Sequence, residues 1–173
     1  MDPQRITGSF GVVQGMKVAD FGSGAGYFTI LLAKMVGESG VVTAVDILDS
    51  ALETLRAKAK AEGLRNIETI RSNLETPGGS GLNNDSQDMV LLANILFQNV
   101  NKAVIIDEAR RVLKPSGTLV VIDWRKGANG LGPPDNLKLD PEETKKLVVD
   151  SGFQFFSDIN AGTFHFGMIF KKI

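Results

Sequence analysis

The sequence predicts an α/β protein: a three-layer, doubly wound sheet, mostly parallel, with a C-terminal antiparallel hairpin and seven strands in all. Three observations predict it. Short apolar runs alternate with helical patterns along the whole chain, the order expected of βαβ units. The stretch Val18-Ala19-Asp20-Phe21-Gly22-Ser23-Gly24-Ala25-Gly26-Tyr27 reads as a strand, a glycine loop and the start of a helix. The last two β-like runs, 153–159 and 163–171, flank Asn160-Ala161-Gly162, a connection short enough for a hairpin.

Each element has its own signal. The first strand is 17–21, and the helix behind it carries Tyr27, Phe28, Ile30, Leu31, Leu32, Met35 and Val36, apolar nearly all round and so expected to be well buried. Gly37 and Gly40 turn the chain into a second strand, 41–45. Asp49 is the expected N-cap of a helix that runs to about Glu62 and stops at Gly63. A short third strand, 67–70, precedes a Gly-, Asn-, Ser- and Pro-rich loop, 73–87. The fourth strand is 88–92, followed by a helix over 101–113, and Lys114-Pro115-Ser116-Gly117 turns it into the fifth strand, 118–123. A second flexible stretch, 124–139, leads to Asp140-Pro141-Glu142-Glu143, where aspartate caps, proline takes the first helical position and Glu143 can reach back. In such a Rossmann-like sheet, ligands sit outside the carboxyl ends of the strands, so the glycine loop, Asp46, Asn73, Asn94 and Asp123 belong to one edge.

Bulk properties narrow the function. The 173 residues fit one domain, 1–173, with a real core. Nineteen lysines and arginines against twenty acids give a formal net charge of −1, so nothing pulls the chain toward nucleic acid or an anionic membrane. The absence of cysteine excludes disulfides, zinc–thiolate sites and cysteine nucleophiles, and one histidine excludes a histidine-rich metal centre; no metal is expected. No leader and no apolar run of ~20 residues is visible, so a cytoplasmic location is expected.

The glycine spacing implies a nucleotide-like cofactor, because glycines let the backbone turn tightly against a ligand and the following helix points free N–H groups at it. A dinucleotide site expects Gly-x-Gly-x-x-Gly and a ribose-binding acid ~20 residues on. Here the pattern is Gly-x-Gly-x-Gly, with Asp46 following. An ionised Asp46 can accept both hydroxyls of a ribose, which either kind of cofactor has. Asp20 separates them: a carboxylate repels a pyrophosphate but suits an ammonium.

Four segments carry a resemblance. Asp20-Phe21-Gly22-Ser23-Gly24-Ala25-Gly26 resembles the first motif of class I S-adenosylmethionine-dependent methyltransferases. Val45-Asp46-Ile47 resembles their ribose-binding motif, and Asp88-Met89-Val90-Leu91-Leu92-Ala93-Asn94 their fourth-strand motif. Arg111-Val112-Leu113-Lys114-Pro115-Ser116-Gly117-Thr118-Leu119 resembles the segment before their fifth strand. The order, from about Gly15 onward, is similar to the ubiquinone/menaquinone C-methyltransferase-like group of small-molecule enzymes. The resemblance implies S-adenosylmethionine as cofactor and S-adenosylhomocysteine as product. It places Gly22, Gly24 and Gly26, with Ser23 and Tyr27, at the methionine and ribose parts, and Asp20 by the amino group. It places Asp46 on the ribose, Ile47 against adenine, Asn73 and Leu74 near the adenine amine, and Asn94 beside the methionine end. Phe97, Trp124 and Arg125 are the expected acceptor side. Leu96-Phe97-Gln98 falls where many relatives carry histidine, so no histidine base is implied there.

The expected reaction is methyl transfer to a small molecule by in-line displacement, which needs alignment and water exclusion more than a base. Asp123 is the best-placed acid by strand logic. His165 alternates with Phe164, Phe166, Met168 and Phe170 and is expected to be structural or solvated. About fifteen residues precede the first strand, where many relatives have helices that lid the site. The site is therefore open, or the chain has been shortened, or the loops 73–87 and 124–139 or another subunit, such as a homodimer partner, cover it. Two alternatives stand beside this reading: a non-catalytic cofactor-binding or partner module, and an NAD-dependent oxidoreductase.

Overall fold

The computed structural model describes residues 1–128 and 130–173; residue 129, inside the expected cover 124–139, lies outside the described part. The sheet has seven strands: β1 (Lys17–Phe21), β2 (Val41–Asp46), β3 (Ile67–Arg71), β4 (Gln87–Ala93), β5 (Leu113–Trp124), β6 (Phe153–Ile159) and β7 (His165–Lys172). Their order is β3-β2-β1-β4-β5-β7-β6. The first five run parallel, and β7 inserts antiparallel between β5 and β6. Strands are added outward on one side of β1 up to β3 and then on its other side from β4, which makes the β1/β4 crevice the switch point of the sheet.

Helices cover both faces. On one face lie α1 (Pro3–Thr7), α2 (Tyr27–Val36) and α3 (Asp49–Ala61); on the other lie α4 (Lys102–Val112) and α5 (Pro141–Asp150). Strands buried on both sides cannot alternate apolar with polar, which is why β1 is buried from Val18 to Phe21. An aspartate in the middle of that run is therefore costly and asks for a reason.

Several expectations need correcting. The residues before the first strand, expected to carry no helix, hold α1: Asp2 Oδ1 accepts from the backbone N–H of Gln4 (3.1 Å) and Arg5 (3.4 Å), and caps it. Ile6 and Phe10 then bury against α2 and the sheet. Asp49 is the first residue of α3, not its cap; the cap position is Leu48, whose N–H donates to Asp46 Oδ1 at 2.9 Å. The turn at 114–117 lies inside β5, as a bulge where the pairing jumps from Gln87–Leu113 to Met89–Thr118 and Ser116 takes φ +61°. Asp140 caps α5 as expected, accepting from Glu142 (2.9 Å) and Glu143 (3.1 Å).

The two long loops behave differently. Segment 76–86 is clamped to α4 and is not a free cover. Glu108 accepts from the N–H of Gly78 and from both N–H and Oγ–H of Ser80, while Arg111 donates to Glu108 through two nitrogens (2.9 and 2.7 Å) and to Leu82 O (2.8 Å). Burial works to raise the Glu108 pKa, but the Arg111 and Ser80 bonds outweigh it and bring it down to about 2. The loop after β5 folds on itself: Leu139 N–H donates to Trp124 O, Lys126 N–H to Leu139 O and Gly127 N–H to Asp135 Oδ1. Among the described residues no helix is long and apolar enough to cross a membrane.

Candidate cofactor site

The three glycines after β1 serve different ends. All have positive φ. A Cβ on Gly22 would stand 2.6 Å from Ile95 Cδ1, and one on Gly26 would strike Leu55, so these two let the loop pack on its neighbours. A Cβ on Gly24 would meet nothing within 4 Å. Gly24 faces open space, so no neighbouring atom accounts for its lack of a side chain. Its N–H donates to Asp46 Oδ2 (2.8 Å), while Gly22 and Ser23 N–H donate to Val45 O. The loop is thus fastened to the carboxyl end of β2.

Two cavities meet at this loop, sharing Gly22, Ala93 and Asn94. The larger, about 460 Å³, is bordered by Gly24, Asp46, Ile47, Asn73 and Leu74. The smaller, about 340 Å³, is bordered by Asp20, Ser23, Tyr27 and Phe28, with Met1 and Pro3 across its mouth. The structure therefore brings the expected cofactor residues to these two cavities except Gly26, which borders neither and packs on Leu55. Phe97, Trp124, Arg125 and Asp123 border neither cavity. A cleft of about 960 Å³ opens elsewhere, between Lys34, Glu38, Arg65 and Asn66. It lies away from the carboxyl ends of the strands, and none of the orphaned polar atoms of the described residues borders it.

The polar groups of the two cavities are unevenly satisfied. Asp20 is buried and accepts from Thr29 Oγ1 at 2.6 Å. Burial, and secondarily the nearby Asp46 charge, push its pKa up to about 6 against the pull of the Thr29 bond. Asp46 gives one oxygen to Gly24 N–H and the other to Leu48 N–H, which leaves a lone pair on each. Asn73 Oδ1 accepts from Glu75 N–H. Of the three buried oxygens without a partner among the described residues, Ser23 Oγ and Asn94 Oδ1 border these cavities and Gln87 Oε1 does not. Asn94 also sits at φ +55°, a conformation asparagine tolerates better than most, held by its N–H to Ile122 O (2.8 Å). An unpaired buried acceptor costs about 1–3 kcal/mol, so a polar group placed in the smaller cavity would relieve both oxygens.

Asp123 has a different task. It is fully buried; Oδ2 accepts from Leu96 N–H (3.0 Å) and Phe97 N–H (3.2 Å), and Oδ1 from Trp124 N–H (2.7 Å). Burial raises its pKa to about 6 despite those bonds. It pins the short 3-10 turn Leu96–Gln98, and with it the approach to Asn94. Thr29, Ile95 and Glu75 were not singled out from sequence. Thr29 had a usable signal, a lone polar residue on the inner face of an apolar helix.

A methyltransferase-domain family model matches residues 13–154. The chain belongs to that family. It is similar to the ubiquinone/menaquinone biosynthesis C-methyltransferase UbiE of Shewanella pealeana, at 35% identity over 119 residues, covering 68% of this chain and 46% of that protein. It is similar also to the demethylmenaquinone methyltransferase of Staphylococcus aureus, at 32% over 121 residues, 69% of this chain and 48% of that one. The chain thus spans about half the length of these curated relatives. Among solved structures, a SAM-dependent methyltransferase from Aquifex aeolicus superposes with a TM-score of 0.90 at 29% identity, covering 99% of this chain and 90% of that one. The cyclase SpnF shares the fold, with a TM-score of 0.82 at 15% identity over 98% of this chain and 79% of its own.

Proposed function

We propose that this member of the methyltransferase family binds S-adenosylmethionine across the two cavities and methylates a small-molecule acceptor. One observation carries the proposal: Ser23 Oγ and Asn94 Oδ1, which both border the smaller cavity, are buried with no partner among the described residues. That donor set fits the cofactor. Ser23 Oγ–H can donate to a carboxylate, Asn94 Oδ1 can accept from an ammonium, and buried Asp20 supplies the opposite charge. The free lone pairs of Asp46 suit two ribose hydroxyls, with Ile47 and Leu74 flanking an adenine and Asn73 at its edge. A pyrophosphate would meet Asp20 and Asp46 together, which disfavours a dinucleotide.

When bound, S-adenosylmethionine supplies an electrophilic methyl on a positively charged sulfur. The chain's part is to orient and to exclude water. Asp20 and Asn94 fix the amino-acid half, Asp46 fixes the sugar, and Met1 and Pro3 narrow the mouth. Asp123 acts as a positioning residue: its oxygens are committed to three backbone N–H groups that set the turn beside Asn94. Phe97, Trp124 and Arg125 remain assigned to the acceptor side. The relatives' names point to a quinone precursor as the acceptor class.

A second reading, cofactor binding without methyl transfer, is favoured by the acid–base content of the cavities. Among the described residues that border them, Asp20, Asp46 and Glu75 are the titratable carboxylates, and no histidine or lysine joins them. Formation of S-adenosylhomocysteine from S-adenosylmethionine, measured with and without a hydroquinone acceptor, separates the two. Acceptor-dependent product is expected; binding of the cofactor with no turnover on any hydroquinone supports the second reading instead.

A further inference from the structure

One stripe of α2 is left unused by the function above. Tyr27, Ile30, Leu31 and Lys34 follow one another at helical spacing along one side of the helix. A helix apolar nearly all round is expected to be buried all round, yet Tyr27 is 68% exposed and Leu31 only half-buried. These residues floor a groove of about 260 Å³ that runs between Gln4 of α1 and the Lys58 and Glu62 end of α3. From Tyr27 to Lys34 it follows two turns of helix, about 10 Å.

The groove adjoins the cofactor site. Among the described residues, Tyr27 borders both the groove and the smaller cavity. Pro3, at the mouth of that cavity, is followed directly by Gln4 of the groove, and Gly26 of the glycine loop lies in the groove's upper end. A ligand held at the mouth can therefore continue over the Tyr27 ring onto α2. The groove is open as it stands, so no segment has to be displaced.

Its chemistry is the reverse of the cavity's. Lys34 pairs with Glu62, and Lys58 Nζ donates to Ala25 O at 3.0 Å. None of the buried polar atoms left without a partner among the described residues borders the groove, whereas Ser23 Oγ and Asn94 Oδ1 both border the smaller cavity. A polar ligand would find its partners in the cavity. A ligand in the groove gains instead by removing the Tyr27 ring and Leu31 from water. The aliphatic stems of Lys34 and Lys58 extend that surface while their ammonium groups stay at the rim.

Resting on the functional reading above, we infer that this groove is a subsite for an apolar tail on the methyl acceptor. The polar ring of the acceptor enters by the mouth at Met1, Pro3 and Tyr27, and its tail lies over the Tyr27 ring and along Ile30 and Leu31 toward Lys34. Leu31 is then a specificity residue that favours tailed over bare acceptors.

The test saturates the full chain with S-adenosylhomocysteine and titrates it by calorimetry with two probes, a bare naphthohydroquinone and the same ring carrying a geranyl tail. Wild type should bind the tailed probe at least about tenfold more tightly than the bare one. Leu31→Glu places a charge in the groove at a helix position that faces Lys34, so the fold is kept. It should lose most of the gain from the tail and leave the affinities for S-adenosylhomocysteine and the bare probe unchanged. Gln4→Leu, at an exposed position, should widen the gain. Phe156→Glu, which removes a ring 66% exposed on β6, should leave it as in wild type and so separates the groove from general adhesion. A tailed probe that binds wild type no better than the bare one, or a gain that survives Leu31→Glu or falls equally in Phe156→Glu, overturns the proposal. Failure of S-adenosylhomocysteine itself to bind overturns the functional reading on which it rests.

Discussion

Replacing Asp20 by asparagine should stabilise the empty protein while damaging its site. Asp20 is buried beside a second carboxylate, and its pKa rises from the ordinary 3.8 to about 6. A tenfold change in proton affinity is about 1.4 kcal/mol, so keeping Asp20 ionised at pH 8 costs the fold about 2–3 kcal/mol. The folded chain holds this proton more tightly than the unfolded chain. Stability therefore falls as pH rises from about 4 to 6, and the cost is fully present above pH 6. Asparagine keeps an acceptor for Thr29 Oγ1 and carries no charge. Urea or thermal unfolding at pH 8 should show Asp20→Asn more stable by about 2–3 kcal/mol, or about 5–10 °C for a chain of this size. The gain should vanish at pH 4. Affinity for S-adenosylhomocysteine should fall at least tenfold, the trade expected where a site holds a group that folding disfavours. A variant that is no more stable at pH 8, or equally stabilised at pH 4, refutes the burial argument for Asp20.

Other outcomes follow from the same geometry. Wild-type affinity for S-adenosylhomocysteine, measured by calorimetry, should weaken about tenfold from pH 7 to pH 5 as Asp20 gains its proton, and Asp20→Asn should show no such slope. Gly26→Ala should cost upwards of about 2 kcal/mol in urea unfolding, because its Cβ would strike Leu55 at a positive φ. Gly24→Ala should cost only about 1–2 kcal/mol of backbone strain yet weaken cofactor binding more than Gly26→Ala does per unit of stability lost. Glu108→Ala should cost about 2–4 kcal/mol, since it leaves Arg111 and the N–H groups of Gly78 and Ser80 without their carboxylate. Hydrogen exchange should then accelerate at 78–82 while the β1 amides stay protected.

Much of the fold was legible because its signals are local. The glycine loop, Asp46 at the end of β2, and the Asp140-Pro141 cap each declare themselves within a few residues. Asp2-Pro3 carries that same cap-and-proline signature, but α1 is five residues long and offers no apolar periodicity to support it. The Lys114–Gly117 stretch has turn chemistry, yet pairing of Leu113 with Gln87 keeps it inside a strand. Loop 76–86 reads as free because its clamp comes from α4, where Glu108 and Arg111 look like an ordinary solvated pair. His165 does fall opposite the phenylalanines of its strand, but a sheet covered on both faces buries that side too. The oxygens of Ser23 and Asn94, unpaired among the described residues, belong to the assembled edge, and no spacing in the sequence announces them.

Calorimetric titration of the wild-type chain with S-adenosylhomocysteine and with NAD, side by side at pH 7.5, tests the cofactor assignment most directly. One-to-one heat with S-adenosylhomocysteine and none with NAD is the expected result. Saturable heat with NAD and none with S-adenosylhomocysteine contradicts it.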